Sequence, residues 1–311
     1  MIFSLTILGS SSALPTSLRF PTAHVLNVHE RLFLIDCGEG AQIQLRRYHL
    51  KMNRINHAFI SHVHGDHTLG LIGLLSTFNL LGRKNPFTVF APSEFEEALF
   101  FNLKFYANNL TFPVNFVPVD TFKSQVIYED KHVMVTTLPL HHRVPAVGYL
   151  FTEVVDKLNI KKTFIDKYKP GVGNILRIKA GNDYVSSNGT VICNSDITYH
   201  SHLPRKYAYC SDTLYSERLV GLVKNVDLLY HEATFSHNDL ELARATGHST
   251  AVQAATVASK ANVDMLLIGH FSSRYKKIGN LEHEAKQVFE KTVAVSDGQT
   301  FTVPEKRNIL V

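Results

Sequence analysis

The chain is short of cysteine, short of long apolar runs and free of repetition, and each shortage removes a class of protein. Its three cysteines, Cys37, Cys193 and Cys210, are widely scattered and show no paired spacing. A disulfide framework needs an even, regularly spaced set, so these read as reduced thiols and point to the cytoplasm. No apolar stretch approaches the ~20 residues that cross a bilayer as a helix, and no membrane partner is expected. The Met1–Leu8 run is apolar, but it lacks a basic leader region and alternates like a strand, which argues against a signal peptide. No repeat with a period of roughly 20–50 residues and no low-complexity tract is present. Charge of one sign is scarce too: 32 Lys and Arg against 27 Asp and Glu give +5, which permits an anionic partner without requiring one.

What is present is hydrophobic mass and histidine. A hydrophobic content of 45% over 311 residues supports a sizeable core, in one large domain or two ordinary ones, and rules out disorder for the bulk. The 17 histidines cluster. His62-Val-His64-Gly-Asp66-His67 packs three imidazoles and a carboxylate into six residues. It follows the apolar run Ala58-Phe59-Ile60, read as a buried strand, and precedes Thr68–Leu75, read as the start of a helix. Imidazole and carboxylate suit zinc, iron or manganese. The alternation lets His62 and His64 face one cation while Asp66 and His67 turn toward a second. The competing reading is a polar loop with incidental histidines, and four ligand-type residues in that register argue against it. The pattern predicts a two-metal hydrolase site.

Periodicity predicts strands at Phe3–Leu8, Ala23–Val28 and Arg31–Ile35, the last two joined by a tight His29-Glu30 turn. A Ser-, Thr- and Pro-rich loop spans Gly9 to Pro21. Gly40–Tyr48 reads as a short helix, Phe87–Phe90 as a strand and Ser93–Tyr106 as a helix opened by Pro92-Ser93. From Ala208 onward strands (Val226–Tyr230, Val263–Ile268) alternate with helices (Ala251–Ala261, Glu282–Lys291). The expected class is α/β, an αββα sandwich of two sheets with helices outside. Further ligand candidates stand at strand ends: His141 or His142 after Thr136–Leu138, Asp212 after Tyr207–Tyr209, and His270 after Met265–Gly269. Each alone is more often a structural residue. Together they project from successive strand ends toward one edge, which is how α/β sheets build sites.

In that order, His62-x-His64-x-Asp66-His67, His142, Asp212 and His270 resemble the metallo-β-lactamase fold, and the chain as a whole resembles the ribonuclease Z family of tRNA 3′-processing endonucleases. His142-Arg-Val-Pro-Ala-Val-Gly148-Tyr149 is similar to the family's third metal motif and selects His142 over His141. His231-Glu232-Ala233-Thr234 resembles its acidic helix-entry motif, and His248-Ser249-Thr250 its second catalytic histidine motif. His270-Phe-Ser-Ser-Arg274-Tyr275 resembles the segment carrying the last ligand. The likeness runs from Leu8-Gly9 to the C-terminus and implies one metallo-β-lactamase-fold domain over residues 1–311.

The resemblance also implies roles. The enzyme would remove the 3′ trailer of precursor tRNA, leaving a 3′-hydroxyl on the tRNA and a 5′-phosphate on the trailer. Each subunit of a homodimer would hold two Zn2+, one on His62, His64 and His142, the other on Asp66, His67 and His270, with Asp212 bridging. Two such ions ~3.5–4 Å apart polarise a shared water to hydroxide for in-line attack. Asp66 would orient or deprotonate that water. His248 would protonate the leaving 3′ oxygen while Glu232 fixes its tautomer; the bland alternative for His248 is a helix-cap neighbour. Arg274 would contact a substrate phosphate or form an ordinary salt bridge.

Residues 151–180 hold seven basic residues, Lys157, Lys161, Lys162, Lys167, Lys169, Arg177 and Lys179, against Glu153, Asp156 and Asp166. Charge alone favours a solvated surface insertion. Phe164, Tyr168 and Pro170-Gly-Val-Gly173 interleave with the charges as a phosphate-backbone clamp would require. The resemblance makes this a candidate tRNA arm inserted at about 151–195, with Lys167, Lys169 and Arg177 as candidate contacts. The N-terminal loop departs from the family's Pro-x-Lys-x-Arg-Asn pattern: it reads Pro15-Thr-Ser-Leu-Arg19-Phe20. The rival readings are another hydrolase of the fold, such as a thioesterase, a lactamase or a small-molecule phosphodiesterase, and a catalytically silent RNA-binding protein.

Overall fold

A computed structural model describes residues 1–107, 109–155 and 158–308. The chain opens as an antiparallel meander of β1 (Phe3–Gly9), β2 (Ala23–Val28) and β3 (Arg31–Ile35). The β2–β3 turn places His29 at φ 50 and Glu30 at φ 67. Two left-handed residues match the twist of a tight hairpin, and Asn27 Oδ1 secures this one by accepting from Glu30 N at 2.8 Å. Parallel strands follow, β4 (Ile55–Phe59), β5 (Phe87–Pro92) and β6 (Val114–Val119), with α1 (Ala41–Arg47), α2 (Gly65–Leu80) and α3 (Phe95–Tyr106) in the connections.

The second sheet repeats the plan. β7 (Val126–Glu129), β8 (Val133–Pro139) and β9 (Val147–Glu153) are antiparallel, and the Lys206–Cys210 strand runs antiparallel to β9. Leu228–Glu232, Met265–Gly269 and Thr292–Ala294 then add in parallel. The Thr300–Thr302 strand crosses back beside β1, so each sheet has seven strands. This is the expected α/β sandwich.

The two sheets meet through aromatics: Phe59 stacks on Phe90 at 4.7 Å and meets Tyr149 edge-on at 5.3 Å. The other faces of β3–β5 are covered by Leu71, Leu74 and Phe78 of α2. Burial on both faces makes these strands read as continuous apolar runs. It also hides β9, which has no polar alternation to mark it. At Gly70 a Cβ would lie 2.0 Å from Gly38 O, so the close approach of α2 to the loop after β3 requires glycine.

Several boundaries differ from the sequence reading. α2 begins at Gly65, ahead of Thr68, and takes Asp66 and His67 into its first turn. α3 opens at Phe95 after Glu94, with no side-chain cap; Ser93 Oγ turns to Glu94 Oε2 at 3.3 Å instead. The helix expected at Glu282–Lys291 lies at Gly279–Lys286, because the chain must straighten for Thr292 to pair beside Leu266. Among the described residues no helix is long and apolar enough to cross a membrane.

Between β9 and Lys206 the chain leaves the sandwich. A ladder pairing Leu158–Ile160 with Thr198–His200, helices Lys162–Tyr168 and Val172–Lys179, and the Tyr184–Val185/Val191–Ile192 hairpin surround their own small core of Ile160, Phe164, Ile178, Tyr184 and Ile197. Phe164, read as part of a clamp, is therefore interior packing, 5.1 Å edge-on to Tyr184, with Tyr168 partly buried beside it. Asp156 and Lys157 lie outside the described residues.

The roots of this unit are fastened by a buried pair. Arg205 donates to both Glu153 oxygens, Nε at 2.9 Å and an Nη at 2.7 Å, and to the carbonyls of Met1 and Val303 at 2.9 and 3.1 Å. Burial alone would raise the Glu153 pKa, but the hydrogen bonds and charge of Arg205 outweigh it and bring it down to about 2. A carboxylate held below its ordinary value of 4.5 stabilises the fold fully above that pH and loses the contribution as pH falls toward about 2. Glu153→Gln should therefore cost ~3 kcal/mol at neutral pH and flatten the acid limb of the melting temperature plotted against pH. A variant with the parent's melting curve across that range would refute this account.

Candidate metal centre

Every ligand candidate stands at the same edge of the sandwich. His62 and His64 follow β4, Asp66 and His67 open α2, and His142 follows β8. Asp212 follows the Lys206–Cys210 strand, Glu232 ends Leu228–Glu232, and His270 follows Met265–Gly269. Parallel strands that end together deliver these side chains to one place from distant parts of the chain.

The structure brings them into two groups, and a third set, Asp212, His248 and His270, overlaps both. His62, His64, His142 and Asp212 each offer an atom within 4.8 Å of the others, and Asp66, His67 and His270 form a second such set. Asp212 faces both. Its Oδ2 lies 3.4 Å from His62 Nε2 and 3.8 Å from His142 Nε2; its Oδ1 lies 3.2 Å from His270 Nε2 and 3.5 Å from His67 Nε2. His141 is exposed and belongs to neither set.

The outer nitrogens of the rings are already engaged. His67 Nδ1 meets Asp36 Oδ2 at 2.8 Å, His142 Nδ1 meets Gly247 O at 2.7 Å, and His270 Nδ1 meets Thr234 Oγ1 at 2.9 Å. A carbonyl only accepts, so His142 carries its proton on Nδ1; Asp36 favours the same tautomer at His67. Their inward nitrogens then present lone pairs. His142 Nε2 is buried with no hydrogen-bond partner, and His67 Nε2 faces His270 Nε2 at 3.3 Å. Tetrahedral zinc with bonds of ~2.0–2.1 Å spaces its nitrogens by about 3.3 Å. The donor set fits a pair of divalent cations.

The surrounding acids favour positive charge at the inward side of these rings, whether a proton or a metal cation supplies it. Burial opposes a proton on His67, but Asp66, Asp212 and Asp36 outweigh it and push its pKa well up. Burial and the neighbouring His67 bring His62 down to about 4, favouring the neutral ring a metal needs. Three acids converging on buried imidazoles make a strongly negative hollow. The backbone is strained around it as well: Ala13, Asp36 and His270 are non-glycine residues at φ 48, 53 and 60, a conformation that persists only where surrounding contacts enforce it.

Asp36 carries more of the site than its sequence context shows. Besides His67, it accepts from Ser61 N at 2.7 Å, Ser61 Oγ at 2.8 Å and the Tyr209 hydroxyl. The signal available in the sequence was an acid at the end of the apolar run Leu32–Ile35, one strand before the histidine cluster.

His248 Nδ1 lies 3.1 Å from Glu232 Oε1. Glu232 accepts from Ser249 N at 2.8 Å, Thr213 N at 3.2 Å, and both Thr234 N and Oγ1 at 2.9 and 2.8 Å. The carboxylate is immobile. Burial opposes charging His248, yet Glu232 holds its pKa up to about 9, before any cation charge is counted. The helix cap is Thr250, in a capping box with Gln253, so His248 is free of that duty. Glu232 ends a strand rather than entering a helix, which corrects the expectation from its motif.

A cavity of about 390 Å³ opens over both groups, lined by Ser12, Ala13 and Pro15 of the N-terminal loop, with Glu39, Leu69, Arg143 and His248. Arg143, which the sequence reading passed over, has no carboxylate within ion-pair distance among the described residues. Arg19 points inward and donates to Tyr275 O at 3.0 Å. Arg274 lies off the cavity, 3.5 Å from Asp239 and over the Phe235 ring at 5.2 Å. Lys167, Lys169 and Arg177 sit on the inserted unit and line no part of the cavity.

Known proteins resemble this chain along nearly its whole length. A family profile described as "Anti-Pycsar protein Apyc1" matches residues 3–144. The chain is 48% identical to "Ribonuclease Z" of Bacteroides fragilis over 295 residues, covering 95% of this chain and 97% of the relative. It is 47% identical to "Ribonuclease Z" of Bacteroides thetaiotaomicron over 301 residues, 97% of this chain and 95% of that one. Among solved structures, human tRNase Z, short form, superposes with a TM-score of 0.70 at 25% identity, covering 97% and 99% of the two chains. The metallo-β-lactamase fold protein YhfI of Bacillus subtilis gives 0.68 at 17% identity over 97% of this chain and 100% of its own, a likeness of fold.

Asparagine tolerates the left-handed conformation at position 36 but cannot match the carboxylate's charge toward His67. Asp36→Asn should weaken metal affinity by roughly 10–100-fold while the fold persists, measured by chelator competition alongside circular dichroism. An affinity equal to the parent's would detach Asp36 from the site.

Proposed function

The chain belongs to the ribonuclease Z family and is a tRNase Z-type endoribonuclease of tRNA 3′ processing; from that premise we propose that it is zinc-dependent and cuts the 3′ trailer from precursor tRNA, leaving a 3′-hydroxyl on the tRNA and a 5′-phosphate on the trailer. The observation that carries this reading is the shared Asp212 carboxylate, one oxygen toward each histidine group, with His248 on the same cavity wall.

His62, His64 and His142 would hold one zinc, Asp66, His67 and His270 the other, and Asp212 would join them. Bound there, two zinc ions supply Lewis-acid polarisation of a phosphoryl oxygen and a water acidic enough to attack near neutral pH. Asp66 Oδ2 accepts from Ala13 N at 2.7 Å, which fixes the carboxylate at the cavity floor where it takes a proton from the attacking water. His248, anchored through Nδ1 to Glu232, presents Nε2 to the cavity and protonates the departing 3′ oxygen. Arg143 takes a non-bridging phosphate oxygen. The inserted unit grips the body of the tRNA through Lys167, Lys169 and Arg177. The enzyme works as a cytoplasmic homodimer.

Incubation with a 3′-extended precursor tRNA, with and without chelator, tests the reading directly. One cut with the stated ends, abolished by chelator and restored by zinc, is expected; metal-independent cleavage or a 3′-phosphate on the tRNA would reject it. The role of His248 is separable. His248→Ala should lower kcat on precursor tRNA by ~10²–10⁴ but barely affect bis(p-nitrophenyl) phosphate, whose leaving group departs without a proton. Equal losses on both substrates would make His248 structural.

A further inference from the structure

The catalytic cavity does not end at the metal ligands. Gly65 and Leu69 line both it and a second hollow of about 250 Å³ between α2 and α3, so the two surfaces are continuous. This hollow is built from Ile72, Phe95, Ala98, Leu99 and Asn102, with Glu94 its sole charged residue. At the junction stands Leu69, 65% exposed on a helix whose Leu71, Leu74 and Leu75 are fully buried. Asn102 spends its Nδ2 on Ala98 O at 2.8 Å, which leaves Oδ1 as an acceptor.

The chemistry of the two flanks differs. Arg143 and His248 border the cavity on polar walls, whereas the α2–α3 hollow holds no cation and cannot grip a phosphate. A strand of RNA with one phosphate over the histidine groups must lay an adjoining nucleotide against a neighbouring wall. The part of a nucleotide that suits an apolar hollow without cations is the base.

We propose that the hollow between α2 and α3 is a nucleobase subsite, holding the unstacked base of a nucleotide beside the scissile phosphate against Leu69, Ile72 and Phe95. The inference rests on the endonuclease reading above and adds to it where the substrate's base is recognised. With a lining that is mostly apolar, its polar groups confined to Glu94, Thr68 and Asn102, the subsite responds to the presence of a base more than to its identity, as apolar and stacking contacts generally do.

The test compares intact precursor tRNA, the same precursor made abasic at the nucleotide on one side or the other of the cut, and bis(p-nitrophenyl) phosphate. With the wild-type enzyme, removing the base on one of the two sides should lower kcat/KM about tenfold. Ala98→Trp, which places a ring in the hollow from an exposed helix position, should lower kcat/KM on intact precursor by a similar factor relative to the small diester. It should add nothing further on the sensitive abasic precursor. Wild-type cleavage of both abasic precursors as fast as the intact one overturns the subsite. So does an Ala98→Trp enzyme whose precursor-to-diester ratio equals the parent's. If Ala98→Trp loses both activities, the helix pair is damaged and the wild-type abasic series decides alone. Failure to cut even intact precursor would overturn the endonuclease reading instead.

Discussion

Convergence of buried lone pairs is the constraint on which the rest of the structure depends. Asp36 and Gly247 O hold the outer nitrogens of His67 and His142, and Thr234 engages that of His270, so the inner nitrogens face one another or Asp212 across 3.2–3.8 Å. The inner atoms of His67 and His270 meet chiefly each other and the acids, and among the described residues His142 Nε2 has no hydrogen-bond partner. Such an arrangement is costly without a cation and specific with one. The sandwich holds these seven side chains together against their own repulsion.

Two features of the fold supply the holding force. Parallel strands in both sheets end at one edge, and the loops leaving them are short, so each donor is within a few residues of a buried strand. The loops are also pinned by long-range bonds. Asp36 ties the β3 end to Ser61 and Tyr209, and Ser249 Oγ reaches Thr213 O at 2.7 Å. Left-handed backbone at Asp36 and His270 survives only under such cross-bracing. The aromatic layer between the sheets makes the frame stiff enough to keep it.

Away from the edge, the molecule divides its labour by polarity. The inserted unit between β9 and Lys206 carries basic side chains on its helices over a small core, and the Glu153–Arg205 pair fixes its base to the sandwich. The cavity pairs acidic and imidazole groups with a lone guanidinium, and an apolar hollow continues from it between α2 and α3. In the proposed reaction, phosphate, proton transfer and base would fall to different walls. A polymer substrate could engage all of them at once, and a small diester only the centre.

Much of this was legible in the linear chain. The six-residue cluster at His62–His67, strand ends followed by His or Asp, and apolar runs of strand length are local patterns, and local patterns follow from residue chemistry and period alone. Those features fixed the α/β class and the identity of the ligand candidates. What the chain could not announce was anything set by partners far away in sequence. Asp36 binds a histidine 31 residues on, Arg143 gains meaning from a cavity wall, Arg274 turns to Asp239, and Phe164 packs inside the unit whose surface it was expected to form. The direction of a side chain at a strand end depends on which strand lies beside it, and that is decided only when the two sheets close. The sequence determined which atoms could bind metal; the tertiary structure decided which nitrogen of each ring was left to do so.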